Sequence, residues 1–271
     1  MSALILPAVV ELVIRLGKLI IKEASRPGGP RGAIDKADID VEVEELLRQG
    51  LMKILPCDFV GEETGVHLSG AAYCWVVDPN DGTSDFLRTG MGSAISVGLL
   101  HEQQPVLGVV HAPLSQQGSD CIAWQQGSAG IWRNNTVLSP KPLHPLAPGT
   151  TVFVSAAAEA HLELNNELCA PAHCHPMTSV AYRLARVAAG DGIAAISLYP
   201  VATHDVVAGH ALLRAAGGDL FDHQGDPIQY NSAGKFSDQV LGCFGGEREA
   251  CQQLSRRNWQ RLVPTYLASP I

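Results

Sequence analysis

Hydrophobic and polar residues follow two different periodicities along the chain. Apolar residues recur at helical spacing over residues 3–25, and Glu11, Arg15, Lys18 and Lys22 interrupt them, which predicts a packed helix rather than a membrane span or a signal peptide. After residues 25–32, a loop rich in Pro and Gly, the same spacing predicts a second helix over residues 39–50. The first fifty residues are therefore predicted to be mainly helical.

Short apolar runs separated by Gly, Pro and Gln turns follow. They predict strands at residues 73–77, 93–100, 105–112, 121–124 and 130–132. A succession of strands joined by such turns is typical of a largely antiparallel sheet.

Strands and helices alternate beyond the proline-rich stretch 138–150. The pattern predicts strands at residues 152–155 and 193–198, and helices at residues 158–169, 179–189 and 205–216. Residues 169–175 hold two Cys and two His but lack the second matching pair of a zinc finger, which favours a surface loop over a zinc site. The chain is predicted to have an α+β half, residues 1–148, and an α/β half, residues 149–271.

Composition narrows the class of protein. The 271 residues are 46% hydrophobic and 17% charged, as in ordinary globular proteins. A net charge of −8 argues against binding to nucleic acid or to an anionic membrane. Seven cysteines without a regular spacing predict reduced thiols in a cytoplasmic protein.

The strongest chemical signal is the stretch from Trp75 to Phe86. An apolar strand is predicted to stop at Asp78 because Pro79 cannot continue the ladder, and Asp81 follows three residues later in a turn before a short helix at residues 83–87. Two carboxylates held together need a cation, which predicts a Mg²⁺ site. An ordinary turn with capping acids is the alternative.

Two further stretches bring acids to similar turns. Glu62 and Glu63 follow a short apolar run in a glycine-bounded turn. Asp205 opens an apolar, alanine-rich helix, where it would serve either in a site or as a plain N-cap. A Gly-x-Ser-x-Gly elbow and a phosphate-binding P-loop are absent from the sequence, which argues against a serine hydrolase and a P-loop enzyme.

In this order, the three acidic stretches resemble the inositol monophosphatase superfamily of metal-dependent, lithium-sensitive phosphatases. The resemblance spans about residues 35–218 and is carried by Gly61-Glu62-Glu63, Asp78-Pro79-Asn80-Asp81-Gly82-Thr83 and Asp205-Val206-Val207-Ala208-Gly209. It implies a layered αβαβα sandwich of the sugar-phosphatase type and a homodimer. It also implies hydrolysis of a small phosphorylated metabolite with two or three Mg²⁺ ions as cofactor.

The resemblance assigns roles residue by residue. The implied metal ligands are the carboxylates of Glu62, Asp78, Asp81 and Asp205 and the backbone carbonyl of Asn80. Thr83 would orient the attacking water with Asp38, for which a helix-capping role is the alternative. Gly82 and Thr83 would donate backbone N–H groups to the phosphate.

The remaining assignments concern the substrate. Residues 85–88, 108–113, 208–211 and 225–230 look like the 3′(2′),5′-bisphosphate nucleotidase branch, which implies adenosine 3′,5′-bisphosphate as substrate, with an inositol or other sugar phosphate as alternative. Thr178 and Ser179 stand where the branch expects Gly-Ser-Ser.

Arg183 stands where the branch tends to have Lys and would pair with a second phosphate, unless it is an exposed helix arginine. His204, where the family usually has Trp, would contact the substrate or an ion, unless it only fills a loop. A silent relative that binds metal and metabolite without turnover is the alternative from another functional class.

Overall fold

The computed structural model describes residues 5–139 and 143–262. In these ranges two large β-sheets and the helices around them stack as five layers, in the order helices, sheet, helices, sheet, helices, and the short strands of residues 32–33 and 36–37 pair separately as a two-stranded sheet. The layered αβαβα arrangement predicted from the sequence is confirmed.

The described residues of the first half form three helices and ten strands. The helices are α1 (Leu6–Ala24), α2 (Asp38–Ile54) and α3 (Thr83–Thr89). The strands are β1 (Gly32–Ala33), β2 (Lys36–Ala37), β3 (Asp58–Gly61), β4 (Val66–His67), β5 (Tyr73–Asp81), β6 (Ala94–His101), β7 (Gln104–Ser115), β8 (Gly118–Gln125), β9 (Trp132–Arg133) and β10 (Thr136–Val137). Eight strands form one sheet in the order β10-β9-β8-β7-β6-β5-β3-β4. Only the β3–β5 pair among these described strands is parallel, so the expectation of a largely antiparallel sheet is correct.

In the second half, the part of the chain that the structure describes forms four α-helices and five strands. The helices are α4 (Leu162–Cys169), α5 (Val180–Ala188), α6 (Thr203–Ala215) and α7 (Arg248–Ser255). The strands are β11 (Thr151–Ser155), β12 (His173–Met177), β13 (Ala194–Ser197), β14 (Asp219–Asp222) and β15 (Cys243–Gly246), paired in the order β12-β11-β13-β15-β14. Two 3₁₀ helices, Ala156–His161 and Trp259–Arg261, complete the described elements.

Side-chain alternation along the strands separates the hydrophobic layers. In β5, Trp75 and Val77 pack against α1 and α2 on the outer face of the large sheet, whereas Val76 faces the central layer that contains α5 and α6. Val152 of β11 faces the outer core around α4 and α7, while Phe153 faces the central layer. The central helices therefore bury apolar surface against both sheets and join the two halves. The division at residue 148 into two domains stays a prediction.

Two glycines let α6 approach the large sheet. Gly98 of β6 and Gly108 of β7 are register partners, and a Cβ at either position would collide with the backbone of Ala208. Because α6 lies this close, its first turn reaches the edge where β5 ends. Glycine at these two positions thus positions Asp205 relative to the acids of β5.

Three local expectations are wrong. Residues 158–169 form a 3₁₀ helix followed by α4 rather than one helix. Part of the predicted loop 169–175 belongs to β12, an edge strand that pairs with β11. The third concerns α6, which begins at Thr203, so Asp205 is its third residue and not its N-cap. None of the described helices is long and apolar enough to cross a membrane.

Candidate metal centre

A bulge in β5 brings two carboxylates to one end of the large sheet. Asp78 pairs with Ser96 and Asp81 pairs with Ala94, so three steps along β5 match two along β6. The predicted end of the strand at Asp78 is therefore wrong. Pro79 lacks the N–H group needed for pairing, and the chain bulges out and then returns to the ladder.

Acids from three separate segments meet at this bulge. Asp78 is completely buried, and its carboxylate lies within 4.8 Å of ligand atoms of both Asp81 and Asp205. On its other side, Asp78 forms a second group with Glu62 and His204, again within 4.8 Å. The four carboxylates expected to bind metal are therefore brought together.

The surroundings disfavour negative charge on these acids. Loss of solvation, with the neighbouring carboxylates, raises the pKa of Glu62 and of Asp205 to about 7. The same causes raise the pKa of Asp78 well above its ordinary value. Loss of solvation also raises the pKa of Asp81, although hydrogen bonds from Ser179 and Ala181 oppose it. Four crowded acids with raised pKa values need a cation to ionise together.

Hydrogen bonds fix the orientation of three of the four carboxylates, those of Asp78, Asp81 and Asp205. Asp81 Oδ2 accepts from Ser179 Oγ and from the Ala181 N–H, both at 2.6 Å. Asp205 Oδ2 accepts from the Ala202 N–H at 2.6 Å, and Asp78 Oδ1 accepts from the N–H of Asn80 at 2.8 Å. Each of these three carboxylates therefore keeps one oxygen free of these bonds.

The acid beside Thr83 is Asp40, not Asp38. Thr83 Oγ1 lies 3.3 Å from Asp40 Oδ2, and Asn80 Nδ2 donates to Asp40 Oδ1 at 2.9 Å. Asp40 is buried in the first turn of α2, whereas Asp38 is exposed at the start of the same helix. The expectation for Asp38 is corrected, because a shift of two residues turns the side chain to the opposite side of the helix.

Glu44 is a second supporting acid that sequence reasoning missed. Its buried carboxylate accepts from the N–H of Glu63 at 3.0 Å and from the N–H of Thr64 at 2.6 Å, which holds the turn that carries Glu62. A signal was present in the sequence. Asp40 and Glu44 are one helical turn apart on the apolar face of α2, where an unpaired acid would be costly.

Gly82, Thr83 and Thr178, which were expected to contact the substrate, differ in conformation and in hydrogen bonding. Gly82 adopts a left-handed conformation with φ of 100°, so its backbone can turn directly into α3. Thr83 Oγ1 also donates to the carbonyl of Asn80, the carbonyl predicted as a metal ligand, at 2.9 Å. Thr178 Oγ1 donates to the carbonyl of Gly92, which places its hydroxyl against the backbone.

Arg183 is buried rather than exposed. Only 4% of its surface is accessible, so the alternative of an exposed helix arginine is wrong. Its Nη1 donates to the carbonyl of Met177 at 2.8 Å, and its charge opposes the rise in the pKa of Asp81 and of Asp205. Pairing of Arg183 with a second phosphate stays a prediction.

A cleft of about 480 Å³ lies beside the site. It is lined by Gly92 and Thr178 together with Met177, Arg88 and Arg186 among others. A Cβ added to Gly82 would lie 3.3 Å from the carbonyl oxygen of Gly92, so the cleft borders the turn that follows Asp81. A volume of this size is typical of pockets that hold small molecules.

The donor set fits a hard divalent cation. Carboxylate and carbonyl oxygens are the preferred ligands of Mg²⁺, and the group offers four carboxylates with the Asn80 carbonyl beside them. An ion bound there would offset the loss of solvation, and the repulsion between neighbouring carboxylates, that disfavour negative charge on these acids. Within residues 5–139 and 143–262, the two overlapping groups around Asp78 are the His/Cys/Asp/Glu clusters with metal-binding spacing.

Comparison with known proteins assigns the chain to a family. The profile of the inositol monophosphatase family matches residues 5–243. The 3′(2′),5′-bisphosphate nucleotidase CysQ of Escherichia coli (strain K12) is 27% identical over 227 residues, which cover 76% of this chain and 86% of that protein. The inositol-1-monophosphatase of Rhizobium meliloti is 31% identical over 239 residues, 82% of this chain and 86% of that protein.

Solved structures show the same fold. The extragenic suppressor protein SuhB of Bartonella henselae superposes with a TM-score of 0.74 at 20% identity, covering 92% of this chain and 96% of that chain. An IMPase of Thermotoga maritima also gives 0.74, at 19% identity, with 94% and 96% covered. The layered sandwich is thus common to proteins whose sequences have diverged widely.

Proposed function

Because the chain belongs to the inositol monophosphatase family, whose members hydrolyse phosphomonoesters, we propose that it is a Mg²⁺-dependent phosphomonoesterase acting on adenosine 3′,5′-bisphosphate. The single observation that carries the chemistry is the group of four carboxylates around Asp78. An ordinary turn with capping acids would not gather carboxylates from three segments around one that is buried, as Asp78 is.

Glu62, Asp78, Asp81 and Asp205 would hold the ions, with the carbonyl of Asn80. Bound there, Mg²⁺ would neutralise phosphoryl oxygens, lower the pKa of a water molecule and stabilise the departing alkoxide. The protein needs no nucleophilic side chain for this reaction. Its own contribution is to hold the carboxylates at fixed spacing through the bonds from Ser179, Ala181, Ala202 and Asn80. Rigid positioning of this kind lowers the entropic part of the barrier.

Thr83 and Asp40 are proposed to orient the attacking water. The Thr83 hydroxyl lies between the Asn80 carbonyl at 2.9 Å and Asp40 Oδ2 at 3.3 Å. A hydroxyl that donates to one of these oxygens keeps its own lone pairs for the proton of a water. The backbone N–H groups of Gly82 and Thr83 would face the phosphate from the same turn.

The cleft beside Gly92 would hold the part of the substrate that does not react. Arg88 and Arg186 line it, paired with Asp85 at 2.5 Å and Asp191 at 2.8 Å. Arg88 is largely exposed, so it could exchange its partner for a second phosphate at little cost. This favours a bisphosphate, in agreement with the likeness to the nucleotidase CysQ.

An inositol phosphate is the alternative substrate. The relative from Rhizobium meliloti, an inositol-1-monophosphatase, matches a larger share of this chain at a higher identity than CysQ does. A silent relative is disfavoured by the Thr83 and Asp40 pair, because a protein that only binds metabolite has no need to orient water.

Phosphate release measured on three esters tests the proposal. The purified protein is assayed with adenosine 3′,5′-bisphosphate, myo-inositol 1-phosphate and fructose 1,6-bisphosphate, in Mg²⁺, in chelator, and with Li⁺ added. We expect turnover of the first ester that requires Mg²⁺ and is inhibited by Li⁺. Preference for the second or third would reassign the substrate, and silence on all three with Mg²⁺ bound would favour the silent relative.

The homodimer and the cytoplasmic location stay predictions. Light scattering of the purified protein tests the first, and a mass equal to the 28.7 kDa of one chain would refute it.

A further inference from the structure

His204 is a side chain at the site whose presence the metal-binding role of the four carboxylates does not account for. It is the second residue of α6, directly before Asp205, and its ring nitrogen is grouped with the carboxylates of Glu62 and Asp78 within 4.8 Å. The side chain is only 19% exposed, so the ring is enclosed by the site rather than directed to solvent. A residue that only fills a loop would not bring its nitrogen to two carboxylates.

The backbone holds His204 in this position. Ser96 Oγ, on the β6 residue that pairs with Asp78, donates to the carbonyl of His204 at 3.1 Å. The start of α6 is therefore tied to the same strand that holds the bulge of β5. The main chain of His204 is thereby held beside the strand pair that carries Asp78.

A ring nitrogen changes the chemistry of the group. Carboxylate and carbonyl oxygens suit Mg²⁺ and Mn²⁺ alike, whereas an imidazole nitrogen is a better ligand for a transition ion such as Mn²⁺ than for Mg²⁺. Glu62 and Asp78 supply oxygens and His204 supplies nitrogen, so this half of the site has a mixed donor set. The other half, with Asp81 and Asp205, has oxygens from carboxylates only.

We propose that the imidazole of His204 is a ligand of the ion held by Glu62 and Asp78 and raises the affinity of that position for Mn²⁺ relative to Mg²⁺. The inference rests on the proposed function, since it needs the metal site to exist. The competing arrangement is an imidazolium that pairs with Asp205 Oδ1, 3.4 Å from its Nε2, and touches no ion.

Pulsed electron paramagnetic resonance of the Mn²⁺-loaded protein tests the bond directly. A nitrogen ligand modulates the spin echo of Mn²⁺ at ¹⁴N frequencies, and this signal does not depend on turnover. We expect ¹⁴N modulation in the unchanged protein and its loss in His204→Phe. By calorimetric titration, His204→Phe should lose about tenfold or more in Mn²⁺ affinity and less than about threefold in Mg²⁺ affinity.

Two further variants complete the design. His223→Gln removes an exposed histidine from a turn and should keep both the modulation and the Mn²⁺ affinity. His204→Gln repeats the test with a polar side chain in case Phe impairs folding.

The outcomes separate the inference from the proposed function. Modulation that persists in His204→Phe and His204→Gln, or is missing from the unchanged protein with Mn²⁺ bound, overturns the inference and leaves the phosphatase proposal standing. Failure of the unchanged protein to bind either ion overturns both.

Discussion

Asp40 and Asp38 form a matched pair for testing which acid acts with Thr83. In Asp40→Asn the side chain keeps its size but has one oxygen in place of two. Asp40 accepts from Asn80 Nδ2 on Oδ1 and from the Ala37 N–H and Thr83 Oγ1 on Oδ2. An asparagine must therefore turn its amide nitrogen toward at least one of these donors.

The effect of this change on folding stability and its effect on turnover are expected to differ in magnitude. One unsatisfied buried donor costs about 1–3 kcal/mol of folding stability, which is small beside the roughly 5–15 kcal/mol of a typical domain. Loss of a group that positions the proton of the attacking water costs about 10²–10⁴-fold in kcat, or about 3–5 kcal/mol. We therefore expect Asp40→Asn to stay folded and to lose about two to four orders of magnitude in kcat with little change in KM.

The assay is steady-state phosphate release in Mg²⁺, with urea unfolding of the same samples. Asp38→Asn is the control, because Asp38 is exposed, and its stability should stay within about 0.5 kcal/mol of the unchanged protein and its kcat within about twofold. If Asp38→Asn lost turnover while Asp40→Asn kept it, the assignment drawn from the Thr83 contact would be refuted.

Three further predictions concern the metal centre. Asp78→Asn should lose several kcal/mol of transition-state stabilisation, yet unfold at a higher temperature in chelator because the variant no longer bears the cost of burying an ionisable carboxyl beside other acids; unchanged turnover would contradict this. Ser179→Ala removes the hydroxyl bonded to Asp81, and we expect a loss of about 1–2 kcal/mol in urea unfolding and weaker Mg²⁺ binding in calorimetry. In chelator, the folded-state pKa values of Glu62 and Asp205, about 7, lie above those of an unfolded chain, so stability should fall as pH rises from about 4 through 7. A urea midpoint that rises over this range, or a slope unchanged in Asp205→Asn, would contradict the last of these.

Local patterns in the sequence were sufficient for much of the fold. Helical spacing located α1 and α2, and the alternation of strands with helices indicated the layered second half. These patterns report which face of an element is buried, and burial is what stabilises the element. They failed at short edge strands such as β12, which contain few apolar residues and whose pairing with β11 is not visible in the segment itself.

Motif spacing was sufficient to identify the four acids that are predicted to bind metal, but not the residues that contact them. The resemblance named Glu62, Asp78, Asp81 and Asp205, and the structure brings their carboxylates together. Their roles as metal ligands stay predictions until an ion is measured.

The sequence by itself determined the fold class and the four acids, because each is expressed in residues close together along the chain. Only the tertiary structure decided that Asp40 rather than Asp38 meets Thr83, that Arg183 is buried, and that His204 faces Glu62 and Asp78. Each of these facts joins segments about 40 to 140 residues apart. Whether such distant segments meet in space depends on the rotation of each helix and on the close packing of α6 on the large sheet, and no local pattern reports either.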